Sequence, residues 1–93
     1  MEVTDAVKMA KKYITELFEA EGISNLGLEE VQYDENEHVW RITLGFSRPW
    51  ELFRNPISSI MGQVSIPARS YKIIELSNDP ARVLSVKSRD LKT

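Results

Sequence analysis

The feature that most constrains the fold of this 93-residue sequence is a change of hydrophobic period at Leu28. Before it, Val7, Ala10, Ile14, Leu17 and Phe18 fall at i, i+3, i+7, i+10 and i+11, the spacing of one stripe on a helix. Lys8, Lys11, Lys12, Glu16 and Glu19 take the other side and read as one solvated face. Thr4 or Asp5 is suited to cap the N-terminus by accepting from exposed backbone N–H groups. Gly22 is the expected stop, because only a residue tolerant of positive φ closes the last turn cheaply.

From Leu28 the period is two. Val31 and Tyr33 alternate with Glu30, Gln32 and Asp34, and Asp34-Glu35-Asn36-Glu37 supplies turn chemistry. In the run His38–Phe46, Trp40, Ile42, Leu44 and Phe46 share one face, and Val39, Arg41 and Thr43 share the other. A short polar connection between two such runs predicts an antiparallel hairpin. Two later runs, Ser70–Leu76 and Arg82–Ser88, flank the turn formers Ser77–Ala81 and predict a second hairpin. Ile74 and Leu76 are expected on one face, as are Leu84 and Val86. The reading is a single α+β domain over residues 1–93, in the order α-β-β-β-β. One N-terminal helix packs on a four-stranded, mainly antiparallel sheet.

A long connection separates the hairpins. Residues 48–67 contain Pro49, Pro56 and Pro67, which interrupt regular structure, yet they also hold Trp50, Leu52, Phe53, Ile57, Ile60, Met61, Val64 and Ile66. Connections in compact domains are commonly about 4–6 residues, and longer ones tend to carry function. The sequence predicts a short helical turn at Trp50–Phe53 opened by Pro49, with residues 55–65 the most mobile internal part.

Composition narrows the function classes. An apolar fraction of 42% with 28% charged residues argues against disorder. No apolar run approaches the ~18 residues of a membrane helix. The opening Met1–Asp5 is polar and acidic, unlike a secretory signal, so a cytoplasmic location is expected. With no cysteine and the single histidine His38, neither a Cys/His zinc site nor thiol chemistry fits. Four glycines at 22, 27, 45 and 62 form no phosphate-cradling loop, and no serine sits in a nucleophile elbow. Asp34, Glu35 and Glu37 fail as a calcium loop, because the sixth position is Val39 inside a strand. Glu29 and Glu30, as strand neighbours, are expected on opposite faces. The sequence predicts no enzyme, no cofactor and no metal.

Charge distribution is more informative than the net charge of −2. Residues 1–47 hold ten acids and four bases, whereas residues 48–93 hold four acids and eight bases. Bases interleaved with aromatics in the second half suit either a protein contact or nucleic acid. The candidate interaction residues are Arg48, Trp50, Phe53, Arg54, Met61, Arg69, Tyr71 and Lys72. The reading is a non-catalytic module that binds another protein, through residues 48–67 or an exposed sheet edge. The alternative is nucleic-acid binding, which requires Arg54, Arg69, Tyr71 and Lys72 on one face.

The C-terminal run Tyr71–Leu76 through Arg82–Lys87 resembles the end of a PepSY-type domain. The helix followed by Glu30-Val31-Gln32 and Val39-Trp40-Arg41-Ile42 is similar to that family's opening. The resemblance implies a small α+β module of inhibitor-like or chaperone-like character toward peptidases, without catalytic residues.

Overall fold

A computed structural model of the chain describes residues 1–49 and 69–89. The expected turn at Trp50–Phe53 and the expected mobility at 55–65 lie outside the described residues, as do Trp50, Phe53, Arg54 and Met61. The elements are α1 (Val3–Leu17), a 3-10 turn (Glu19–Glu21), β1 (Ser24–Asp34), β2 (Val39–Ser47), β3 (Ser70–Asn78) and β4 (Ala81–Ser88). The strands form one antiparallel sheet in the order β1-β2-β3-β4, and α1 lies across β1, β2 and β3. This is the α+β arrangement that the change of period predicts.

Helix α1 starts earlier than its cap signals suggest. Glu2 is the N-cap, so Thr4 and Asp5 lie inside the first turn. Asp5 still contributes, because its Oδ2 accepts from the Glu2 backbone N–H at 3.3 Å and completes a capping box. At the other end, Gly22 closes the 3-10 turn at φ 61°, in the left-handed region.

The buried stripe is rotated from the predicted one. Ala6, Ala10 and Ile14 are fully buried, Val7 is half-buried, and Leu17 is 51% exposed. The cause is at the helix end. Phe18 leaves helical geometry at φ −107° and carries its ring onto Phe46, 5.3 Å between centroids. That ring takes the contact that Leu17 would otherwise make. Ala6 and Ala10, with no side chain beyond Cβ, let the helix lie close on Ile42, Leu44, Phe46, Ile74 and Leu76, all fully buried. Burying each of these larger side chains stabilises the fold by about 1.5–3 kcal/mol.

Strand β4 departs from simple alternation as well. Glu75 pairs with Ser85, but Leu76 pairs with Val83, which leaves Leu84 as the extra residue of a β-bulge. The bulge turns Val83 and Val86 toward the core and leaves Leu84 46% exposed, so Leu84 and Val86 do not share a face as the alternation suggests. A second irregularity skips Glu29, between Leu28↔Leu44 and Glu30↔Thr43. Glu30 is therefore opposite Thr43, while the Glu29 carboxylate reaches Gly45 on that same outer face. The two acids share a face rather than lying on opposite ones.

The far ends of the hairpins are tied together. Trp40 packs against Tyr33 with the rings tilted and their centroids 4.6 Å apart, and it donates from Nε1 to Asn78 Oδ1 at 3.2 Å. Asn78 opens the turn to β4, through a cis Asp79–Pro80 bond, and its backbone N–H donates to the His38 carbonyl at 3.1 Å.

The bulge makes a direct prediction. Leu76→Ala costs about 2–5 kcal/mol, the range for a large-to-small change in a core. Leu84→Ala stays within about 0.5 kcal/mol of wild type, as at most surface positions. Urea denaturation of the two variants checks the pair; equal losses would mean that Leu84 is a core residue after all.

Candidate functional site

The strand ends where β2 leaves the sheet and β3 enters it carry the described members of the predicted interaction set. Arg48 follows β2, and its guanidinium lies 5.6 Å from the ring centroids of both Phe18 and Phe46. It donates from Nη1 to Glu21 Oε1 at 3.1 Å and from Nη2 to Ser70 Oγ at 3.0 Å. Lys72 approaches the Phe18 ring to 5.8 Å and donates to Ser88 Oγ at 2.7 Å. The last turn of α1 has no basic residue of its own. Arg48 and Lys72 supply positive charge beside that helix end, where the backbone dipole favours it.

Arg69 and Tyr71 lie on the opposite face. There Gly27 pairs with Gly45, and the two missing side chains leave a notch in the sheet. A Cβ on Gly45 would stand 2.8 Å from Arg69 Nη2, 3.0 Å from the Tyr71 ring and 3.1 Å from Glu29 Oε1. Those three side chains fill the notch. Arg69 pairs with Glu29 at 3.5 Å, and Arg89 reaches Glu30 of β1 at 3.5 Å while its backbone N–H holds the Tyr71 carbonyl. Thr43 is only 5% exposed beneath this layer. Lys72 is thus separated from Arg69 and Tyr71 by the thickness of the sheet, so the single basic face that nucleic-acid binding requires does not form from these residues. Arg54 lies outside the described residues.

At the other end of the outer face, Arg41 is held by three carboxylates. Nη1 meets Asp34 at 3.1 Å, Nη2 meets Glu37 at 3.2 Å and Nε meets Glu75 at 3.2 Å. Asp34 also accepts the backbone N–H groups of Asn36 and Glu37 at 2.9 and 3.1 Å, which fixes the hairpin turn. The Glu37 N–H first, and the Arg41 guanidinium next, hold the Asp34 carboxyl below the ordinary carboxylate range. The Ser85 hydroxyl first, with Lys87 and Arg41, does the same for Glu75. The Asp34 carboxylate in turn raises the Arg41 guanidinium above its ordinary value. Among the described residues no group of three or more His, Cys, Asp or Glu is arranged to hold a metal ion. His38 is exposed, its Nδ1 3.3 Å from the Tyr33 hydroxyl.

Sequence reasoning missed a groove between α1 and β1. Val3, Thr4, Val7, Lys8 and Leu28 line a space of about 340 Å³ whose exposed wall is apolar. Val3 and Leu28 remain 41% and 43% exposed. The groove borders β1, whose outer edge pairs with no strand among the described residues. The signal was the row Val3, Val7, Lys11 at helical spacing, visible only once the helix start is placed at Val3. No family model, curated protein or solved structure matches this chain.

The carboxylate network predicts an acid-dependent stability. Asp34 and Glu75 have folded pKa values below their ordinary ones, so they stabilise the fold above the ordinary carboxylate range. That contribution is lost as pH falls through the lowered values, below about pH 4. The double variant Asp34→Asn, Glu75→Gln is therefore less stable than wild type at neutral pH, and the gap narrows on acidification. Urea midpoints of both proteins across that range measure it; a gap independent of pH would exclude the assignment.

Proposed function

We propose that this chain is a non-catalytic protein-interaction module that receives an extended segment of another protein at the edge of its sheet. The observation that supports the reading is the outer edge of β1, which pairs with no strand among the described residues and runs beside the apolar groove under α1. Strand addition uses such a pair of features: main-chain groups on the edge provide affinity, and an adjoining apolar groove selects side chains. The bulge at Leu84, with Arg82 and Lys87 exposed beside it, interrupts β4 as a template; β1 is irregular between Ser24 and Gly27 and at Glu29, and keeps regular register from Glu30 to Asp34.

The same reading agrees with the rest of the surface. Arg41, Arg48, Arg69 and Arg89 are each paired with carboxylates of this chain. No convergent acid–base constellation accompanies them among the described residues, which favours a binding role over a catalytic one. A PepSY-like, inhibitor-type character and a cytoplasmic setting belong to the same proposal. No helix among the described residues is long and apolar enough to cross a membrane.

A photo-crosslinking side chain at Gln32, exposed on β1, tests the proposal in native extract, with one at the exposed Tyr13 of α1 as control. The expected result is a discrete crosslinked protein from position 32 and none from position 13. Equal yields from both positions, or none from either, would overturn it.

A further inference from the structure

We infer that the β1 edge selects segments presenting aliphatic side chains and a carboxylate at successive positions on one side of an extended chain. The inference rests on the edge-binding reading and names the chemistry of the partner. Val3, Val7 and Lys11 succeed one another at four-residue intervals along α1, about 6 Å apart at 1.5 Å rise per residue. Same-side residues of a strand recur every ~6.6 Å. Leu28 lies beside Val3 and Val7, and α1 runs from there toward Phe18 and Phe46, opposite to β1. A segment laid along the irregular start of the edge, from Leu28 toward Ser24, therefore meets Val3, Val7 and Lys11 in turn. The first two positions meet the apolar groove floored by Leu28.

Charge decides the third position. Lys8 lines the groove, Lys11 continues the row beyond Val7, and Lys12 stands beside them. None of these three ammonium groups has an ion-pair partner among the described residues. The acids of β1 do not offset them, because Glu29 and Glu30 face the other side of the sheet and are paired with Arg69 and Arg89. The helix-side rim of the edge is thus cationic over an apolar floor. A basic segment would meet unneutralised lysines there. An acidic–aliphatic segment satisfies both the floor and the rim.

The test is a titration of the isotope-labelled chain with capped eight-residue peptides, read by amide chemical shifts. One peptide places two valines then a glutamate on one side, with threonines between; controls replace the glutamate by lysine or the valines by alanine. The expected result is shifts at Ser24–Leu28 and in the first three turns of α1 with the first peptide, and weaker binding of both controls. Lys11→Glu should weaken the first peptide about tenfold, equivalent to ~1.4 kcal/mol, with Lys11→Gln intermediate. Equal binding of the lysine peptide, indifference to Lys11→Glu, or shifts confined to β4 would each overturn the inference. Absence of peptide binding while position 32 still crosslinks a protein would remove this ligand chemistry and leave the interaction module standing. Failure of both measurements would remove both.

Discussion

Close approach of α1 to β2 is the contact on which the rest of this fold depends. Ala6 and Ala10 present almost no side chain, so Ile14 and the helix backbone can settle on Ile42, Leu44 and Phe46. β2 then becomes a central strand with β1 and β3 on either side, and β3 brings Ile74 and Leu76 under the same helix. A larger residue at position 6 or 10 would lift the helix and open space beneath it, at a typical overpacking cost of about 1–3 kcal/mol. The helix spans fewer strands than the sheet contains. Its flank toward β1 leaves the groove, and Leu28 stays half in water for that reason.

The charge asymmetry between the two halves of the sequence is resolved inside the fold. The antiparallel order carries bases of the second half onto acids of the first: Arg48 onto Glu21, Arg69 onto Glu29 and Arg89 onto Glu30. Partly exposed pairs of this kind contribute little stability individually. Their larger effect is on what the surface can bind, since a guanidinium already facing a carboxylate attracts a phosphate weakly. Among the described residues the outer face consequently reads as a layer of paired charges around the Gly27–Gly45 notch rather than a cationic platform. The lysines of α1 have no ion-pair partner among the described residues, because the helix places them beyond reach of those acids.

Much of the architecture was legible in the residues. The switch from a 3.6-residue to a two-residue period at Leu28 sets one helix before four strands, and the alternation of Trp40, Ile42, Leu44 and Phe46 marks the central strand. Arg69 and Tyr71 could be picked as neighbours, and they do lie together. Lys72 follows them directly in sequence but points to the opposite face, as the strand period requires. The errors came from places where regular periodicity is broken: the bulges at Glu29 and Leu84 reverse facing for one residue each, and Phe18 leaves the helix before its stripe ends. A bulge depends on how two strands twist against one another, which a single strand's pattern does not encode.

The sequence by itself determined the class of fold and the order of its elements, because these follow from local period and from residue types. Tertiary structure alone decided which charges neutralise each other. Arg41 meets Glu75 thirty-four positions along the chain, and no local rule pairs them. It also decided where an apolar groove is left open, since Val3, Val7 and Leu28 become neighbours only when α1 is laid across β1. Local propensity is a property of a few adjacent residues, whereas a binding surface is what remains uncovered after distant segments have packed.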